Sequence, residues 1–87
     1  MDIKYLIKIF KAISNERRFL IINHLFLARE LSVGQISELI NLSIRSTSKH
    51  LSVLANSGLV QSRQVSSNKF YFIDSKFPKD ISRFFQG

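Results

Sequence analysis

Residues 31–60 read LSVGQISELINLSIRSTSKHLSVLANSGLV, and the pattern inside this run decides the fold. Ser32, with Gln35 three residues later, makes a capping box, the reciprocal pair that satisfies free N–H groups at a helix start. The helix it opens is short, with Ile36, Leu39 and Ile40 expected on its inner face. Asn41 tolerates the left-handed backbone that stops a helix, and Ser43 is a fresh N-cap. From Ile44 to about Asn56, Thr47, Leu51 and Leu54 recur at helical spacing, so that face is buried and Arg45, Ser48, Lys49 and Ser52 face outward. Gly58 supplies the positive φ that closes this second helix. Two short helices around so tight a turn form a helix-turn-helix over about residues 33–57.

Downstream, residues 59–65 and 69–73 are β-branched and aromatic runs separated by Ser66, Ser67 and Asn68. They predict a hairpin with a three-residue loop, the wing, over about residues 59–73. Leu31 to Val33 is long enough only for a single edge pairing. Pro78 suits the first turn of a last helix, over about residues 77–86, in which Ile81, Phe84 and Phe85 share one face.

Upstream, Asp2 caps a helix over about residues 2–13, whose Ile3, Leu6, Ile7, Phe10 and Ile13 form the expected core stripe. Tyr5 and Ile9 lie on a second stripe, which is left for a partner subunit. Ser14 or Asn15 caps the next helix, which runs to about Arg29 and is apolar almost all round, as befits a central element. The order is helix, helix, short strand, helix, helix, hairpin, helix. That is a mainly α chain with a small β-hairpin, a winged helix-turn-helix occupying residues 1–87 as one domain.

Composition bounds the function. With 45% hydrophobic and 22% charged residues, the 87-residue chain has material for one core. Eight Phe and two Tyr exceed what so small a core covers, which predicts a homodimer through Tyr5, Ile9, Ile81, Phe84 and Phe85. With no cysteine, disulfides, thiolate metal sites and Cys nucleophiles are excluded. Lys4, Lys8 and Lys11 interrupt the apolar N-terminal stretch, unlike a secretion signal, and no apolar run approaches membrane-spanning length. The expectation is a soluble, cytoplasmic chain without a membrane partner.

The formal charge is +7, and no acidic residue lies between Glu38 and Asp74, whereas Arg45, Lys49, His50, Arg63 and Lys69 do. A basic balance suits a polyanion, and the helix-turn-helix gives it a scaffold: the first helix braces the second, whose N-terminal half enters a DNA major groove. Ser43, Ile44, Arg45, Ser48 and Lys49 are the expected contacts on that helix, and Arg63 and Lys69 those of the wing. His50 is open between a phosphate contact and helix packing.

The segments FKAISNERRFLIINHL, the run quoted above extended by QSRQ, and KFYFI resemble the ArsR/SmtB family of dimeric prokaryotic repressors, over roughly residues 6–73. The telling parts are Ser14 to Arg18, the run from Leu42 to Leu51, and Leu54 to Val60. The resemblance implies a homodimer joined through the first and last helices, operator binding by residues 43–56 and a wing at residues 60–73. Many members of that family sense metals through cysteines at the start of the third helix or through carboxylates and histidines on the last. Here those places read Glu30-Leu31-Ser32-Val33-Gly34-Gln35 and Pro78 to Gly87, which hold no cysteine and no histidine, so no metal or other cofactor is expected. One imidazole cannot hold a metal, and His24 is read as structural. The sequence has no phosphate-binding glycine loop, HExxH, CxxC or clustered Ser/His/Asp set, which argues against an enzyme. The function predicted is a sequence-specific double-stranded DNA-binding transcriptional regulator, a repressor on a palindromic operator. The alternatives are a winged-helix module docking an acidic protein and a membrane-surface protein using the Lys4, Lys8 and Lys11 face.

Overall fold

The computed structural model describes residues 2–85. The elements follow the expected order: α1 (Ile3–Ile13), α2 (Glu16–Ala28), β1 (Glu30–Ser32), α3 (Val33–Leu39), α4 (Ile44–Asn56), β2 (Val60–Val65), β3 (Asn68–Ile73) and α5 (Lys79–Ser82). The three strands form one antiparallel sheet in the order β1-β3-β2. As expected of so short a segment, β1 makes one edge pairing, with β3, Glu30 opposite Phe72 through Ser32 opposite Phe70. In the wing Val65 pairs with Asn68, so the loop has two residues, Ser66 and Ser67, and not three. Ser66 takes φ 59°, the positive value that matches a two-residue turn to the twist of its strands.

Side-chain oxygens start the helices as their sequences predict. Asp2, Asn15, Ser32 and Ser43 each accept from a backbone N–H of the first turn, and Asn15 rather than Ser14 caps α2. Both helices of the helix-turn-helix end in the same way. Asn41 (φ 54°) follows α3, and the Leu42 N–H donates to the Ser37 carbonyl at 3.0 Å. Gly58 (φ 75°) follows α4, and the Leu59 N–H donates to the Leu54 carbonyl at 3.0 Å. These six-to-one bonds are Schellman closures, and they set the direction in which the chain leaves each helix.

Ile9, Ile21, Ile22, Leu25, Ile36, Leu51, Leu54 and Leu59 are fully buried at the centre. The inner face of α1 is rotated from the one expected: of the expected stripe Ile13 is core and Leu6 half-buried, and the other three residues point outward. Ile9, Ala12 and Ile13 are buried and Tyr5 packs against them, while Ile3, Ile7 and Phe10 are 70%, 51% and 54% exposed. Both stripes are apolar, and the small Ala12 allows close approach of the Ile9 side to the rest of the core. Leu39 of α3, expected inside, is exposed; Leu42 in the turn packs against the core instead. Phe19, Leu20 and Leu27 likewise leave α2 open on one side.

The last helix is a single turn, not the long element expected over residues 77–86; position 86 lies outside the described residues. Phe77 and Phe85 fold back on α2, Phe85 lying 4.6 Å from Phe19 and 5.5 Å from Phe26 between ring centroids. Phe77 meets Phe26 edge-on at 5.1 Å. This aromatic cluster fastens the C-terminal segment within the chain.

Candidate nucleic-acid interface

The candidate recognition surface is built on α4. Thr47, Leu51 and Leu54 are buried, which rotates Arg45 and Lys49 outward, one turn apart on a single face. Ser43 and Ile44 are exposed at the helix start and Ser48 is half-buried. The Ser43 Oγ accepts from the Ser46 N–H at 3.1 Å, leaving the N-terminal turn capped but open to solvent. Among the described residues neither Arg45 nor Lys49 forms an ion pair, so both charges are available to a ligand.

Two adjacent arginines of α2 hold this helix in place, and sequence reasoning did not assign them that role. Arg17 donates through Nη1 to the carbonyls of Ile40 and Asn41, at 3.1 and 3.2 Å, at the end of α3. Arg18 donates through Nε to the Ala12 carbonyl at 2.6 Å and through Nη2 to that of Lys11 at 3.4 Å, closing the last turn of α1. Its Nη1 donates to Nδ1 of His50 at 3.2 Å. The signal lay in the position of the pair, in the first turn after the Asn15 cap, where a fork of donors reaches the carbonyl ends of two other helices.

His50 is therefore turned inward. Partial burial, and then the charges of Arg18 and Arg17, push its imidazole below the usual histidine range, so it is neutral and accepts from Arg18. Of the two roles left open for it, packing is the one the geometry supports. Arg63, expected to meet phosphate, is already engaged within the chain. Its Nε and Nη2 bond both carboxylate oxygens of Glu30, at 2.6 and 2.7 Å, reaching across β3 with the guanidinium 5.7 Å from the Phe70 ring. The hydrogen bond from Arg63 holds the Glu30 carboxyl below the usual range, and that charge offsets the arginine toward an approaching phosphate. Lys69 remains exposed on the wing, with Nζ 5.6 Å from the Tyr71 ring.

The residues proposed from sequence for self-association are divided by the structure. Ile9 and Phe85 are core, Tyr5 and Ile81 are half-buried, and only Phe84 is largely exposed, at 75%. An apolar face exists nonetheless, with Ile3, Ile7 and Phe10 on α1, Phe19 and Leu20 on α2, and Phe84. Phe10, Phe19, Ile81 and Phe84 surround an apolar hollow of about 250 Å³ beside it. Among the described residues no three metal-ligating side chains gather, and no helix is long and apolar enough to cross a membrane.

A capped, outward-facing cationic helix, braced by a second helix and flanked by a two-stranded wing, defines the winged helix-turn-helix class of transcription regulators. The sequence model for bacterial regulatory proteins of the arsR family matches residues 15–62, and the chain belongs to that family. It is 43% identical over 65 residues to the transcriptional activator HlyU of Vibrio cholerae, covering 75% of this chain and 59% of that protein. It is 38% identical over 64 residues to the cadmium resistance regulatory protein CadC of Listeria innocua, covering 74% and 54%. The chain thus spans a little over half the length of these curated relatives. The structure of HlyU from Vibrio cholerae superposes with a TM-score of 0.84 at 35% identity, covering 97% of this chain and 92% of that one. The homodimeric winged helix-turn-helix DNA-binding domain Mb0332 of Mycobacterium bovis superposes at 0.81 with 26% identity, covering 93% and 71%.

Proposed function

We propose that this chain binds double-stranded DNA sequence-specifically, as a homodimer on a palindromic operator, and regulates transcription from the cytoplasm. The observation that carries the reading is the exposed N-terminal half of α4, where Arg45 and Lys49 stand unpaired on the side opposite buried Thr47 and Leu51. Arg45 is the base-reading residue, because a guanidinium in the first turn of a recognition helix meets a guanine edge in two parallel hydrogen bonds. Ile44, Ser48 and Lys49 border it, and Lys69 on the wing takes phosphate.

Self-association uses the face of Ile3, Ile7, Phe10, Phe19, Leu20 and Phe84, with the hollow between Phe10 and Phe84 receiving an apolar side chain of the partner. The homodimeric solved relative supports this reading. An operator occupied by such a dimer is closed to polymerase, which makes repression the mode of action. Selection of bound sequences from a random duplex pool tests the proposal: a palindrome with half-sites one helical turn apart is expected. Recovery of no common sequence, at a salt concentration where the chain still binds duplex, would overturn it.

A further inference from the structure

One cationic surface lies outside the recognition helix and the wing. Lys4, Lys8 and Lys11 follow one another at helical spacing on α1, all exposed, and neither α1 nor α4 contains an acidic residue. Lys8 and Lys11 share a groove of about 330 Å³ with Arg18 and with Val53 and Asn56 near the end of α4. Arg18 fixes the geometry of that groove: its bonds to the Lys11 and Ala12 carbonyls and to His50 tie the end of α1 to both α2 and α4. Val53 follows Lys49 by one helical turn, so the groove borders the same side of α4 that carries Arg45 and Lys49.

The cationic stripe on α1 also has a direction. Successive helix residues are 100° apart, so the stripe of Lys4, Lys8 and Lys11 lies beside that of Ile3, Ile7 and Phe10. One side of the cationic stripe meets the apolar face assigned above to the partner, and the other meets α4. We propose that Lys8 and Lys11, with Lys4 beyond them, hold DNA phosphates on the dyad side of each half-site, so that the protein grips the centre of the operator as well as its two major grooves. This inference rests on the DNA-binding reading. An anionic lipid surface suits such a stripe less well, because it would draw on the neighbouring apolar face that dimerisation covers.

The test compares Lys8→Gln plus Lys11→Gln with wild type and with Lys76→Gln plus Lys79→Gln, two exposed lysines away from the groove, on the selected palindrome over a salt series. For the α1 pair the slope of log affinity against log salt should become shallower by about 0.9 for each phosphate that the variant no longer neutralises. Hydroxyl-radical protection should disappear from the sugars between the half-sites, with base preference and dimer mass unchanged. Lys8→Arg plus Lys11→Arg should restore both slope and protection. A slope and central protection equal to wild type, an equal effect of the control pair, or lysine-dependent binding to anionic vesicles with an unchanged DNA slope would each overturn the inference. Wild-type protein that binds no duplex would overturn the DNA reading itself, a result separable from all of these.

Discussion

Residues Ile7 and Ile9 are two positions apart and face opposite ways, so a pair of substitutions separates folding from self-association. Burying an isoleucine side chain completely contributes about 1.5–3 kcal/mol. Ile7 is 51% exposed, so about 1 kcal/mol of that remains to be gained when a partner covers it. A two-fold interface counts each residue twice, giving about 2 kcal/mol, or roughly a 30-fold change in dimer affinity. Ile7→Lys forfeits this and adds the desolvation of a charge, so sedimentation equilibrium should show the dimer dissociating at least 30-fold more readily, with the melting temperature of the monomer little changed. Ile9 has no exposed surface, and Ile9→Ala should instead destabilise the fold by about 2–5 kcal/mol, roughly 10 °C or more in Tm for a domain of this size. If Ile7→Lys leaves the dimer intact at low micromolar concentration, or Ile9→Ala dissociates it without lowering Tm, the assignment of the two faces of α1 fails.

Four further outcomes follow from the same geometry. Thr47 is fully buried and its Oγ1 has no hydrogen-bond partner among the described residues, so Thr47→Val should raise stability by about 1 kcal/mol in a thermal melt and leave DNA affinity unchanged. His50 is held neutral by burial and by Arg18, so the unfolded chain binds more protons just below its ordinary value of 6.5; stability should fall as pH drops through that value, and less steeply in Arg18→Ala. Zinc or cadmium at stoichiometric concentration should leave operator affinity unchanged in a gel shift, since no three ligands converge among the described residues. Arg45→Ala should lose about 1–3 kcal/mol per half-site and relax preference at one base pair, whereas Lys69→Ala should weaken selected and random duplexes alike.

The helix-turn-helix was legible because its signals are local. A capping box, a left-handed asparagine, a second serine cap and a glycine after the last turn each act within about five residues of backbone, and each stands where the sequence places it. What the sequence left undetermined depends on partners distant along the chain. On α1 two apolar stripes compete, and periodicity cannot choose between them; the choice falls to Ala12, whose small side chain lets the Ile9 side come close to the core. In the same way Arg63 and Lys69 are equal cations in the sequence, and only the sheet order β1-β3-β2 brings Glu30 within reach of one of them. Phe85 looked like surplus apolar surface because the rings that receive it, Phe19 and Phe26, lie on α2, near the other end of the chain.

The pair Arg17 and Arg18 shows how such distant contacts bear on recognition. Helix ends carry unsatisfied carbonyls, and a guanidinium offers several donors in a fixed plane, so one side chain can satisfy two carbonyls and hold two elements at a set distance. Arg17 does this for the turn of the helix-turn-helix and Arg18 for the end of α1, and Arg18 also reaches His50 on α4 itself. The orientation of Arg45 relative to the face bearing Ile7 is thus set through α2. In a dimer that orientation determines the separation of the two recognition helices, and with it the spacing of half-sites that the protein can read. On the dimeric DNA-binding reading proposed above, the two arginines set operator geometry without being placed to touch a base.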